Sequence, residues 1–226
     1  PIVSGLLGVT NFLVPQPKIV PKGVNNTNTA SLSLFTNLKK VLATRLVYLA
    51  ILIGAVIHSV LFVFDLIIPI TGTGFNLTST HVGTILSTLA LSQAVASTYL
   101  SMKPFPSETL FNHFLEGLFL GSIALLFAFM TQGFLSLLIA TLIIGLGFGM
   151  IQPLSMSLIY HHTEQASVGD AVSIRLLLNS LGRICAPMVL ALALSYMAPT
   201  TFLSVMGGLI FGVAAVLKWV VKTGEK

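Results

Sequence analysis

Long unbroken runs of hydrophobic residues, separated by short polar breaks, dominate the chain from residue 45 onward. Six such runs predict six helices: α1 from about Arg45 to Ile70, α2 from about His81 to Met102, α3 from about Asn112 to Thr131, α4 from about Gly133 to Tyr160, α5 from about Val172 to Met197, and α6 from about Thr201 to Val221. A helix crossing the hydrocarbon core needs ~20 predominantly apolar residues, which these lengths supply. The runs are continuous and do not alternate every second residue, so a membrane β-barrel is excluded. The expected fold is all-α, a polytopic membrane bundle of six transmembrane helices over residues 45–221.

Upstream, residues 1–14 are apolar but too short to span. They lack the basic start and small-residue cleavage site of a signal peptide. They read as the end of a truncated preceding transmembrane helix, and the sequence as a fragment of a longer protein. Residues 15–44 carry Pro15, Pro17 and Pro21, an Asn-rich run from Asn25 to Asn28, and Lys18, Lys22, Lys39 and Lys40. That is the pattern of a polar linker, and its lysines place it in the cytoplasm. Within it, Leu32, Leu34, Phe35, Leu38, Val41 and Leu42 have the spacing of a helix lying on the interface.

Composition strengthens the membrane reading. Hydrophobic residues make up 55% of the chain and charged ones 8%, with a mean hydropathy of +0.98; soluble domains carry about 25% charged residues. The net charge of +5 does not point to nucleic acid, because the basic residues are not clustered with aromatics on one face. They recur at every second connection, which puts residues 222–226 in the cytoplasm as a tail. The lone cysteine, Cys185, lies in an apolar helix and is expected to pack there. Asn76-Leu77-Thr78 matches a glycosylation sequon and carries little weight.

The informative residues are polar groups inside the apolar runs, where they are costly and tend to face a bundle interior or a water-filled path. On α1, His58 lies near mid-membrane, with Asp65 seven residues on and on a similar face. A histidine changes charge near neutral pH, so His58 and Asp65 are the proton-coupling candidates. On α4, Gln152 precedes Pro153, which can bend the helix. Arg175, Asn179 and Arg183 recur every fourth residue along one face of α5. Arg175 reads as lying near the membrane boundary, where its side chain snorkels to water. Arg183 lies deeper, placed for ion pairing or contact with an anion. Glu116 is expected at the start of α3, complementing the helix dipole, and Gln93 is expected to bridge helices.

Gly117 and Gly121, Gly145 and Gly149, and Gly208 and Gly212 form pairs at the spacing that lets helices approach closely in lipid. Gly147 adds to the α4 set. His161, His162 and Glu164 do not make a metal site, since adjacent histidines diverge and no further ligands stand at useful spacing. No nucleophile, base and orienter set occurs, and no phosphate-cradling loop. No catalytic residue, metal or cofactor is therefore expected.

The run Gly145-Leu-Gly-Phe-Gly-Met-Ile-Gln-Pro-Leu-Ser-Met-Ser157, the loop with Gly169-Asp170-Ala171, and Arg175-Leu-Leu-Leu-Asn179 followed by Gly182 and Ala186-Pro187 resemble the tenth and eleventh helices of bacterial major facilitator superfamily transporters. Residues 15–44 are similar to that family's central loop. The basic motif often found between its eighth and ninth helices is missing from Ser101–Thr109. The resemblance implies the C-terminal six-helix half of such a transporter. It also implies that substrate contacts come from α1 and α4, supported by α2 and α5.

The expected function is secondary active transport of a small solute by alternating access, coupled to a proton or another ion. His58, Gln152, Asn179 and Arg183 are expected on the substrate path. Gly145, Gly147, Gly149, Pro153 and Pro187 are expected to serve conformational change or packing. The expected partners are the bilayer of a bacterial inner membrane, a small solute, a coupling proton and an N-terminal six-helix half. A scaffold or subunit of a membrane enzyme is the alternative; it calls for paired acids near one membrane face, which are not seen.

Overall fold

Helices account for nearly everything in the computed structural model, which describes residues 45–72, 77–102, 106–127, 133–165 and 167–224. They are α1 (Arg45–Gly72), α2 (Ser79–Ser101), α3 (Ser107–Phe127), α4 (Phe134–His162), α5 (Val168–Leu194) and α6 (Pro199–Gly224). The segments read as a preceding span, linker and interfacial helix, and the sequon at Asn76, lie outside the described residues.

Five helices, all but α2, are long and apolar enough to cross a membrane. The exception has a plain cause: ten of the 23 residues of α2 are Ser, Thr or Gln. Several of its hydroxyls are satisfied within the helix. Thr84, Thr88 and Ser101 each donate to the carbonyl four residues back, and Ser97 to the one three back, at 2.8–3.1 Å. Such back-bonding lowers the cost of a hydroxyl in an apolar setting.

The helix ends follow local chemistry more than hydropathy. Thr78 caps α2: its Oγ1 accepts from the His81 N–H at 3.3 Å, while the Thr78 N–H donates to His81 Nδ1 at 3.4 Å. His81 thus takes the reciprocal part usually played by Glu or Gln. The same imidazole stacks on Phe134, the first residue of α4, with ring centroids 4.4 Å apart.

α3 starts at Ser107, earlier than its hydropathy suggests, because the Pro106 carbonyl accepts the Thr109 N–H at 3.0 Å and closes a first turn. Glu116 is therefore in the helix body and not at its start. It is 67% exposed and lies 2.9 Å from His113 Nδ1. α5 likewise starts at Val168, where the Ser167 carbonyl accepts the Ala171 N–H at 3.1 Å. Arg175 consequently sits two turns inside the helix, about 10 Å from its start by helical rise.

α4 is the central element, packed along both α2 and α3; α6 lies on α3, and α5 on α1, which also meets α4. The buried residues of α4, among them Leu137, Ile144, Phe148, Ile151 and Leu158, occupy the broad side of the helix turned to these neighbours, whereas Leu135, Ile139 and Leu142 are exposed on the other side. α5 is the opposite case: its only fully buried residues are Ala171, Arg175, Ala186 and Leu190. One of those four is an arginine.

Close approach is concentrated on α4. A Cβ on Gly147 would meet Gly121 Cα at 2.7 Å, one on Gly149 would meet Gln93 Cα at 2.7 Å, and one on Gly145 would meet the Leu89 carbonyl at 2.9 Å. Gln93 thus lends its backbone to the α2–α4 contact. On α6 the expected pair is corrected: Gly212 faces open space and Gly208 makes an ordinary contact, whereas a Cβ on Gly207 would come within 2.6 Å of Leu126 N. The face of α6 turned toward α3 is one residue away from the one the spacing suggests.

Candidate functional site in the membrane segments

Arg175 is 4% exposed. An arginine cannot shed its charge at ordinary pH, so its burial must be met by acceptors. They come from α4, where Arg175 Nη2 donates to Gln152 Oε1 at 2.7 Å and to the Gln152 carbonyl at 3.2 Å. Ser155 Oγ donates to the same carbonyl at 3.1 Å. On the α1 side the guanidinium lies against Gly54, where a Cβ would be 3.6 Å from Arg175 Nε. The snorkelling position expected for Arg175 is thereby corrected.

Gln152 continues the chain of bonds to α1. Its Nε2 lies 3.2 Å from His58 Nδ1, between residues 94 apart in sequence. Arginine is a donor only, so Oε1 must face Arg175 and Nε2 must face His58. His58 Nδ1 must then be a bare acceptor, with the ring proton on Nε2. A proton added at Nδ1 would set two donors face to face and break the contact.

The arrangement leaves capacity unused. Arg175 Nε and Asn179 Oδ1 are buried and bond no described residue. Both residues line a cavity of about 370 Å³ with Gln152 and Pro153 of α4, Leu176 of α5 and Ser97 of α2. Among the described residues, no carboxylate pairs with either arginine of α5.

Of the residues singled out from sequence, the structure joins His58 directly to Gln152 and places Asn179 on the same cavity. Arg183 stands apart: it is exposed, with its guanidinium 5.3 Å from the centre of the Phe62 ring. That distance is within cation–π range. Asp65 is exposed and bonds no described residue, so nothing described here links it to His58. Pro153 lies beside Gln152 in an α4 that stays helical through it, and Pro187 is on the exposed side of α5. His161 and His162 close the last turn of α4. Cys185 is exposed and lines an apolar cavity of about 360 Å³ among α1, α5 and α6, which corrects its expected packing role.

The residue missed as a site member is Arg175. A signal was present: Ser167 with Asp170 three residues on suits a helix start, and counting from there puts Arg175 well inside the span.

Comparison with known families adds one match. A model described as Major Facilitator Superfamily matches residues 1–187. Neither a curated protein nor a solved structure matches the chain.

Proposed function

We propose that this chain, which belongs to the Major Facilitator Superfamily, provides the C-terminal half of a proton-coupled secondary transporter working by alternating access. Membership carries the coarser statement: an integral membrane protein that moves a solute across the bilayer. The finer reading rests on the bonds from His58 through Gln152 to Arg175, which join α1, α4 and α5 through groups that are costly in a membrane. In this reading an N-terminal six-helix half faces these helices, and the protein resides in a bacterial inner membrane with its C-terminus in the cytoplasm.

The coupling step follows from donor and acceptor counts. With His58 neutral at Nδ1, Gln152 bonds both neighbours and holds α1 and α5 to α4. Protonation at Nδ1 turns an attraction into a clash of donors, and the Gln152 amide must turn or α1 must move. Two arrangements of the same helices are thus separated by one proton, which is the differential interaction that a gradient-driven transition requires. Asp65 is a second proton-handling candidate on the same helix. Gln152, Asn179 and Arg183 contribute to the substrate path, while Gly145, Gly147, Gly149, Pro153 and Pro187 set how closely the helices slide and where they bend.

The test uses the full-length protein in vesicles loaded with a pH-sensitive dye and challenged with a panel of small carboxylates, amines and neutral sugars. Solute-evoked proton movement that is lost in His58→Gln supports the reading. Solute flux in the wild type without proton movement contradicts the coupling, and the absence of any flux favours the membrane scaffold.

A further inference from the structure

We infer that the cavity beside Arg175 is an anion site, and that the transported solute is a small organic anion bearing an N–H or O–H donor; this rests on the transport reading above. Three observations carry it. Arg175 is almost wholly buried, yet its bonds to Gln152 go to neutral oxygens, and none of its partners among the described residues carries negative charge. A buried cation left uncompensated favours any anion that can reach it.

Second, Arg175 Nε and Asn179 Oδ1 are buried with no partner among the described residues, and both belong to residues lining one cavity. A donor and an acceptor four residues apart on one helix are matched by a ligand with a carboxylate and, on the next atoms, a hydroxyl or amine. Third, the sign is repeated nearby: Arg183 adds a second positive charge on α5, about two turns along from Arg175. The cavity of about 370 Å³ falls in the range that holds a small molecule. Ser97 of α2 also lines the cavity, so the ligand would bridge α2, α4 and α5.

The experiment reads the charge preference of the cavity independently of transport. In the purified full-length protein carrying Cys185→Ala, with any other native cysteines also replaced, Ser97→Cys places a thiol of similar size on the cavity wall. Its labelling rates with an anionic sulfonatoethyl and a cationic trimethylammonioethyl methanethiosulfonate are compared with those of a cysteine placed at exposed Tyr196. The inference predicts an anionic-to-cationic rate ratio at least tenfold above the Tyr196 reference. Arg175→Gln should collapse that ratio to the reference, and Arg175→Lys should retain most of it. Equal ratios at the two positions, or a preference for the cationic reagent, would overturn the anion site even if the vesicle assay shows transport. An anionic preference without solute flux would leave the site standing and sink the transport reading.

Discussion

Gln152 Nε2 and His58 Nδ1 stand 3.2 Å apart although 94 residues separate them in the chain. The bond has only one workable polarity, because the other end of the amide is committed to Arg175 at 2.7 Å. A neutral side chain is thereby oriented by a permanent cation on one side and reads the protonation state of an imidazole on the other.

The first prediction concerns what Gln152 supports. Gln152→Ala leaves Arg175 Nη2 and His58 Nδ1 without their side-chain partner, and an unsatisfied buried group costs about 1–3 kcal/mol, more when it is charged. The purified full-length protein should therefore melt several degrees lower in detergent. Gln152→Glu, which offers Arg175 a carboxylate, should recover the loss relative to Gln152→Ala. Equal melting temperatures for wild type and Gln152→Ala would show that the network carries no stability.

A second prediction separates the histidine's bond from its titration. His58→Gln offers an amide oxygen to Gln152 Nε2 but takes up no proton in the physiological range. Exchange of solute across the membrane should persist within about tenfold, whereas accumulation against a gradient should vanish. Retained accumulation would move the coupling role to Asp65, where Asp65→Asn would then be the variant that loses it.

How much of this was legible in the sequence depends on the kind of feature. The six helices were, since continuous apolar runs admit few other structures in lipid. Helix starts were less so: hydropathy fades at Asn112 and Val172, but backbone bonds to the Pro106 and Ser167 carbonyls extend α3 and α5 backward. That shift of one turn moves Arg175 from the boundary into the bundle. Facing was legible only in part: the glycines of α4 meet neighbouring backbone as their spacing suggests, but the pair on α6 does not. The spacing of Gly208 and Gly212 suits close packing, and only the neighbour of α6 decides that Gly207 meets Leu126 while Gly212 faces open space. The link between His58 and Gln152 belongs to the same class, because no local pattern encodes a partner 94 residues away.

Those two kinds of glycine give a third prediction. In Gly147→Ala the added Cβ meets backbone atoms of α3, which cannot step aside as a side chain would. Overpacking of this kind costs about 1–3 kcal/mol, so the melting temperature should fall. Gly212→Ala has open space and should be neutral or gain up to ~1 kcal/mol from helix propensity. A reversed order in thermal unfolding of the two purified variants would contradict the α3–α4 contact described here.

Capping of α2 supplies the fourth. Thr78→Ala removes the acceptor for the His81 N–H, a change that costs about 0.5–2 kcal/mol. His81→Ala removes the reciprocal bond and the stack on Phe134 as well, and should lower the melting temperature further. If the two variants melt alike, the stack adds nothing to the cap.

The central claim is that the polar chain from His58 to Arg175 couples proton movement to solute movement. The most direct measurement is solute-evoked proton flux in vesicles of the full-length protein, comparing wild type with His58→Gln and Arg175→Gln at matched expression and fold. Robust proton movement in the wild type that falls by at least tenfold in both variants is the predicted result. Undiminished proton movement in both would contradict the account and return the network to a purely structural role.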